Sequence, residues 1–237
     1  MKKNSVDLPP ETAGESARQR AYRAFLAEAR ESMHRVVAGL PVDRPLVVEL
    51  GCGHGHFLVD QAMRRPEAFF LGLDVHRGRI AAGQSKARKR GLENLQFLQG
   101  DVRLFLENIT EEGLTEIYAL FPDPFPKARH EKHRLFQGEV LQRLMGILKP
   151  GGGLFFKTDV EPYYRQVVEN LETIKELARS SREWPPSVPT VFEQRAREVF
   201  VGIWEKVTPK TGSGRAGNGW RVGLIMANPQ RGGYRGP

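Results

Sequence analysis

The residues best suited to chemistry gather between Leu120 and Arg134. An apolar and aromatic run, Glu116-Ile117-Tyr118-Ala119-Leu120-Phe121, reads as a buried strand. Pro122, Pro124 and Pro126 then alternate along the chain. Each proline fixes its own φ and drives the residue before it to extended geometry, so Asp123 is expected on a stiff loop. Behind it Lys127, Arg129, Lys132 and Arg134 stand against one acid, Glu131, with His130 and His133 among them. A carboxylate at the C-terminal end of a strand lies where open α/β sheets bind ligands. A basic cluster beside it can hold a polyanion. The bland alternative is a proline-punctuated loop that leads into a solvated helix start.

A second constellation precedes it. Glu49-Leu50-Gly51-Cys52-Gly53-His54-Gly55 closes one apolar run and opens a helix. Its glycines let backbone approach a ligand closely. In the dinucleotide fingerprint G-x-G-x-x-G the third glycine falls three residues after the second. Here that position is His56, and an acid stands two residues before Gly51. Glu49 would repel a pyrophosphate but suits a cofactor that brings a cationic amino acid to the turn. S-adenosyl-L-methionine is such a cofactor. Asp74 ends the next apolar run, where a carboxylate can take both ribose hydroxyls. Asp101 ends the one after, where it could accept from an adenine amino group. Gly51, Gly53, Glu49, Asp74 and Asp101 are therefore the expected cofactor residues. Cys52 reads as a small turn filler, and His54, His56 and His76 have no metal-ligand spacing.

The elements that must position these groups alternate strand and helix, which argues for a parallel sheet with helices on both faces. Strands are expected at 46–50, 69–74, 95–98, 116–121 and 154–158, with further strands at 175–183 and 199–207. Helices are expected at about 57–64, 77–90, 104–108, 135–148 and 162–174. A helix over 15–39 carries Ala29, Met33, Val36 and Val37 on a rough 3.6-residue period, with five arginines between its apolar positions. It reads as a lid packed on the core with a charged outer face, or as an RNA-facing helix. Trp184-Pro185-Pro186-Ser187-Val188-Pro189 reads as a stiff linker.

The bulk numbers set wider bounds. A chain of 237 residues can bury a full core. A net charge of +8 suits nucleic acid, a phosphorylated ligand or an anionic membrane surface. One cysteine allows no internal disulfide and no cysteine-based metal cage, which fits a reducing cytoplasm. The first ten residues lack an apolar signal segment, and no run approaches the ~20 apolar residues that span a bilayer. The division expected is an N-terminal extension with one helix (1–44), a catalytic domain (45–207) and a Gly-rich basic tail (208–237). Residues 1–14 and most of the tail are expected to be disordered. Neither a membrane nor a metal is expected as a partner, and monomer and homodimer both stay open.

Taken together, Phe121-Pro122-Asp123-Pro124-Phe125-Pro126-Lys127, Arg129-His130 and Lys132-His133-Arg134 closely resemble the signature of the bacterial tRNA (guanine-N7-)-methyltransferases. Thr158-Asp159 resembles the Thr-Asp pair of that family, and Thr190-Val191-Phe192-Glu193-Gln194-Arg195 resembles its Thr-x-Phe/Tyr-Glu-x-Arg segment. The resemblance spans residues 46–207. It implies a Rossmann-like class I methyltransferase with a seven-stranded, mostly parallel sheet. It implies cofactor contacts from Glu49, Asp74, Asp101 and Asp123, with Asp123 also catalytic. It implies substrate binding by Lys127, Asp159 and Thr190, Val191, Phe192 and Glu193, and methylation of guanosine at position 46 in the tRNA variable loop. Arg129, His130, Lys132 and Arg134 would hold RNA. Phe125 departs from the family, which has Trp there, and residues 1–44 match it poorly. On the residues alone, a methyltransferase acting on another RNA, on DNA or on a protein amine stays open. So does a non-catalytic RNA-binding protein on the same scaffold.

Overall fold

Short apolar runs separated by glycine and acidic residues become strands because both of their faces are covered. In the computed structural model, which describes residues 16–124 and 134–207, β1 (Leu46–Leu50) is buried at all five positions. The order continues α2 (His56–Arg64), β2 (Phe69–Asp74), α3 (Arg77–Lys89), β3 (Leu95–Gln99), α4 (Val102–Asn108) and β4 (Leu114–Leu120). After residues 125–133 come α5 (Gly138–Ile147), β5 (Leu148–Thr158), α6 (Glu161–Glu172), β6 (Leu177–Arg179), α7 (Val191–Arg195) and β7 (Phe200–Lys206). The chain begins with α1 (Ala17–Ala38).

The strands form one sheet in the order β3-β2-β1-β4-β5-β7-β6. All pairings from β3 to β5 are parallel, and β7 runs antiparallel to both β5 and β6. The mostly parallel seven-stranded sheet expected from the sequence is therefore present. Side chains alternate across it with the period of two that a pleated strand imposes. Val48, Leu71, Ile117 and Phe156 point into one core with Met33 of α1, Phe105 of α4, Leu144 of α5 and Val167 of α6. Val47, Phe70, Tyr118 and Phe155 point into the other with Phe57 and Leu58 of α2 and Ile80 of α3. Met33 is 1% exposed, and Arg30 pairs with Glu107 of α4 at 3.6 Å, so the C-terminal half of α1 packs on the core.

The elements differ from the expected limits chiefly at five places. β4 spans Leu114–Leu120 rather than 116–121. β5 begins at Leu148, which pairs with Leu114, and a register shift between Leu114 and Glu116 takes up Pro150 and Gly151. β6 holds three residues rather than nine, because the charged residues around Leu177 leave only a short edge to pair with β7. Helix α5 starts at Gly138 rather than at 135. The segment after the Pro-rich linker contains α7, which carries no buried residue and so gives no apolar periodicity to read. The N-terminal and tail disorder expected from composition, and the expected roles of Phe125, Lys127, Arg129, His130 and Lys132, fall outside the described residues.

Strand order reverses between β1 and β4, since β1 is followed by β2 on one side and flanked by β4 on the other. Ligands of doubly wound sheets bind at that switch point, outside the carboxyl ends of the strands. Glu49 closes β1 there, and Asp123 lies just past the end of β4.

Candidate active site

The cofactor side is built from backbone. Gly51, Gly53 and Gly55 all have positive φ (77°, 54° and 71°), a region closed to most side chains. The amides of Gly51 and Cys52 both donate to the Leu73 carbonyl at 2.8 Å, which clamps the turn to the end of β2. A Cβ on Gly51 or Gly53 would meet nothing within 4 Å, so these two glycines border open space. Gly55 differs, because a Cβ there would lie 2.3 Å from the Phe97 ring. Gly55, one residue short of the third glycine position of the dinucleotide fingerprint, is thus a packing glycine.

Asp74 is buried at the end of β2. One carboxylate oxygen accepts from the Gly53 amide at 3.0 Å and the other from the His76 amide at 2.8 Å. Arg79 of α3 stands 3.6 Å away. Each oxygen keeps a second lone pair beyond the amide bond that it accepts. Glu49 is 3% exposed, and its Oε2 is buried with no hydrogen-bond partner among the described residues. Burial pushes its carboxyl well above the ordinary carboxylate range, and the nearby Asp74 carboxylate adds to that. An unpartnered buried carboxylate beside an open glycine turn fits a ligand that brings a cation. Asp101 caps α4, accepting from the Arg103 amide at 2.7 Å, and is partly exposed. Burial pushes the Cys52 thiol up, with Glu49 and Asp74 adding to it, so the protein holds Cys52 as a thiol and not as a nucleophile.

The substrate side is built from side chains. Phe121 has φ 50°, a conformation that costs a non-glycine residue of order 1–3 kcal/mol. Its amide donates to the Lys157 carbonyl at 2.7 Å, and its ring stacks on Phe192 of α7 at 5.7 Å. This turn carries the chain from β4 out to the exposed Asp123. Arg134 donates to the Pro124 carbonyl at 2.8 Å and to the side-chain oxygen of Gln166, so it ties the Asp123 loop to α6. The sequence reading had placed Arg134 among the RNA contacts; the guanidinium also has this inward set of partners. Asp159 follows β5 and is exposed, and the Thr158 hydroxyl beside it accepts from the Val160 amide at 3.2 Å. Thr190 and Glu193 form a capping box on α7: the Glu193 amide donates to the Thr190 hydroxyl at 3.2 Å and the Thr190 amide to Glu193 Oε2 at 2.7 Å. Val191 and Phe192 are 45% and 57% exposed.

Two residues here escaped the sequence reading. Lys157 of β5 is 6% exposed, and its ammonium reaches Glu193 Oε1 at 2.5 Å. Trp184, expected only as part of a stiff linker, packs beside Phe57, Tyr118 and Phe155 and lies 3.9 Å beneath the Lys157 ammonium. A lysine inside the apolar run Leu154-Phe155-Phe156-Lys157 was the available signal, because a buried charge needs a partner. Among the described residues, no group of three or more His, Cys, Asp or Glu side chains could hold a metal ion, and no helix is long and apolar enough to cross a membrane.

Known proteins resemble this chain in sequence and in fold. A family model described as "Putative methyltransferase" matches residues 43–205. The chain is 36% identical over 171 residues to a tRNA (guanine-N(7)-)-methyltransferase of Nitrosomonas eutropha, covering 70% of this chain and 76% of that one. It is 35% identical over 170 residues to the enzyme of that name from Cronobacter sakazakii, covering 69% and 71%. It is 33% identical over 175 residues to that of Neisseria meningitidis serogroup C, covering 72% and 74%. Among solved structures, an rRNA methylase from Streptococcus thermophilus superposes with a TM-score of 0.50 at 14% identity, covering 77% of this chain and 96% of that one. A 16S rRNA (adenine(1408)-N(1))-methyltransferase from Catenulisporales acidiphilia gives 0.50 at 18% identity, covering 80% and 93%. These two likenesses establish the Rossmann-like methyltransferase fold. The chain belongs to the tRNA (guanine-N(7)-)-methyltransferase family, whose methyl donor is S-adenosyl-L-methionine.

Proposed function

We propose that the protein methylates N7 of guanosine at position 46 in the variable loop of tRNA, with Asp123 as its catalytic residue. The observation that carries this reading is the switch point itself. Glu49 and the open Gly51–Gly53 turn lie on one side of it, and Asp123, on the strained turn from β4, lies on the other. S-adenosyl-L-methionine supplies an electrophilic methyl group on a sulfonium when bound.

Glu49 offers its unpartnered oxygen to the amino-acid end of that cofactor, Asp74 its spare lone pairs to the ribose, and Asp101 an acceptor to the adenine. Guanine N7 carries an exposed lone pair and no proton, so the protein must align the base more than deprotonate it. The product ring is cationic, and the Asp123 carboxylate stabilises charge as it develops there. Asp159 accepts from the donors on the Watson–Crick edge of the base. The exposed Phe192, with Thr190, Val191 and Glu193, walls the pocket from the other side, and Lys127 holds O6 or a phosphate. A base held in tRNA tertiary structure must be drawn out at a cost of a few kcal/mol. Arg129, His130, Lys132 and Arg134, with the exposed basic residues of α3, supply backbone contacts towards it. A cytoplasmic location belongs to the same reading and is supported by the single, buried cysteine.

The test is incubation with unmodified tRNA and methyl-labelled cofactor, followed by nucleoside analysis. The expected product is labelled 7-methylguanosine. Label in any other nucleoside overturns the assignment of the acceptor atom.

A further inference from the structure

We propose that Lys157 is a positioning residue that fixes the spacing between the Asp123 loop and the Thr190–Glu193 segment; this rests on the reading that these two segments face one base. The two ends of Lys157 hold one segment each. Its carbonyl accepts the Phe121 amide at 2.7 Å, which anchors the turn that leads to Asp123. Its ammonium pairs with Glu193 at 2.5 Å, and the other oxygen of Glu193 accepts the Thr190 amide at 2.7 Å. A continuous line of contacts thus runs from β4 through Lys157 and Glu193 to Thr190.

The backbone of Lys157 cannot shift to suit its side chain, because it pairs with Leu120 on one side and Val201 on the other. Trp184 beneath the ammonium confines the side chain in turn. At the far end α7 has five residues and none of them is buried, so it has no core of its own. A helix this short does not persist in water without tertiary contacts. Among the described residues, the Lys157–Glu193 pair and the Phe121–Phe192 stack tie it to the sheet, and both lead back to the turn before Asp123. Glu193 therefore orders the segment from inside with both oxygens engaged, whereas Asp159 stays exposed. Removing one member of a charge pair this well shielded leaves the other without compensation.

The experiment compares wild type with Lys157→Met, Lys157→Arg and the double variant Lys157→Met/Glu193→Met. The Lys157→Met enzyme is expected to keep its affinity for S-adenosyl-L-methionine within about twofold while KM for tRNA rises about tenfold or more, the size expected when one partner of a shielded charge pair is lost. Amide hydrogen exchange at residues 190–195 should quicken, with β4 and β5 unchanged. The double variant should recover the Tm lost by Lys157→Met but not the KM, because the unpaired charge is gone while the spacing is not restored. Lys157→Arg, which keeps the charge, should recover part of the KM. A fall in Tm alone, with KM and exchange at residues 190–195 as in wild type, overturns the proposal. So does recovery of KM in the double variant. The exchange measurement needs no tRNA, so it tests the positioning separately from the assignment of guanine N7, which the wild-type product tests.

Discussion

The two halves of the sheet end in acids, but they hold them differently. On the half proposed for the cofactor, Glu49, Asp74 and Asp101 stand at or just past the ends of three adjacent parallel strands, and backbone amides of the Gly-rich turn and of the residues that follow each acid fix the latter two. Glu49 and Asp74 are buried. On the other half, Asp123 and Asp159 are exposed, the segment with Glu193 is held by a lysine in the sheet and a stacked pair of rings, and Arg134 ties the Asp123 loop to Gln166 of α6. The first arrangement is held by short backbone hydrogen bonds that need no ligand, which would suit a cofactor that is the same in every turnover. The second depends on contacts between residues far apart in the chain. Such contacts can be adjusted to a large substrate that must be partly unfolded at the target base.

If this contrast is right, substitutions on the two halves should separate kinetically. The largest effect is expected at Asp123. Asp123→Asn keeps the shape of the side chain and removes its charge, so kcat should fall about 100-fold, as for loss of one group that stabilises developing charge. The rise in KM should be smaller. Steady-state kinetics with tRNA showing wild-type kcat in Asp123→Asn would break the catalytic assignment. Next comes Asp74→Ala, which removes the acceptor proposed for the ribose and also frees the Gly53 amide. Calorimetry should show cofactor binding weaker by ~1.5–3 kcal/mol, the range for hydrogen bonds to a charged group. Wild-type affinity in this variant would displace the cofactor from the end of β2.

A smaller, pH-dependent effect is expected at Glu49, whose carboxyl lies well above its ordinary range in the free protein. A cation bound beside it favours the carboxylate. Below the free-protein pKa, binding must expel a proton, so cofactor affinity should fall as the pH drops through that value, by at most about tenfold per pH unit. Above it the affinity should be flat. The sign for folding is the opposite. A raised folded-state pKa favours the neutral form, so this group's contribution to stability is present at low pH and lost as the pH rises through the folded-state pKa. Cofactor binding should offset that loss. Calorimetry across pH on wild type and Glu49→Gln checks both parts, and an equal pH dependence in the two proteins would remove Glu49 from the cofactor site.

The same contrast decides what could be read from the chain. β1 and β2 are apolar runs with an acid at or next to their ends, so their limits, and the positions of the acids proposed for the cofactor, follow directly from residue order. Asp123 and Asp159 were legible for the same reason, as each stands just past such a run. The rest of the substrate half was not. Phe121 reads as the last residue of a strand, but the strand ends at Leu120 and Phe121 turns with positive φ. Nothing in an apolar run announces a backbone turn whose amide donates to a carbonyl of the neighbouring strand. The start of β5 was hidden by Pro150 and Gly151, which signal a stop but sit at a register shift inside the strand. Helix α7 has too few residues for any period, although Thr190-Val191-Phe192-Glu193 carries the capping-box spacing that could have revealed it. The inward contacts of Lys157 and Arg134 depend on tertiary placement, which charge patterning does not show.

The most direct measurement of the central claim uses two tRNA transcripts that differ only at position 46, one with guanosine and one with 7-deazaguanosine. The second replaces N7 by a C–H group and leaves the Watson–Crick edge and the phosphates intact. Methyl transfer from labelled S-adenosyl-L-methionine should label the first transcript and not the second, while the two bind the protein with equal affinity. Equal labelling of both would contradict the account, because the methyl group would then be going to another atom or another position.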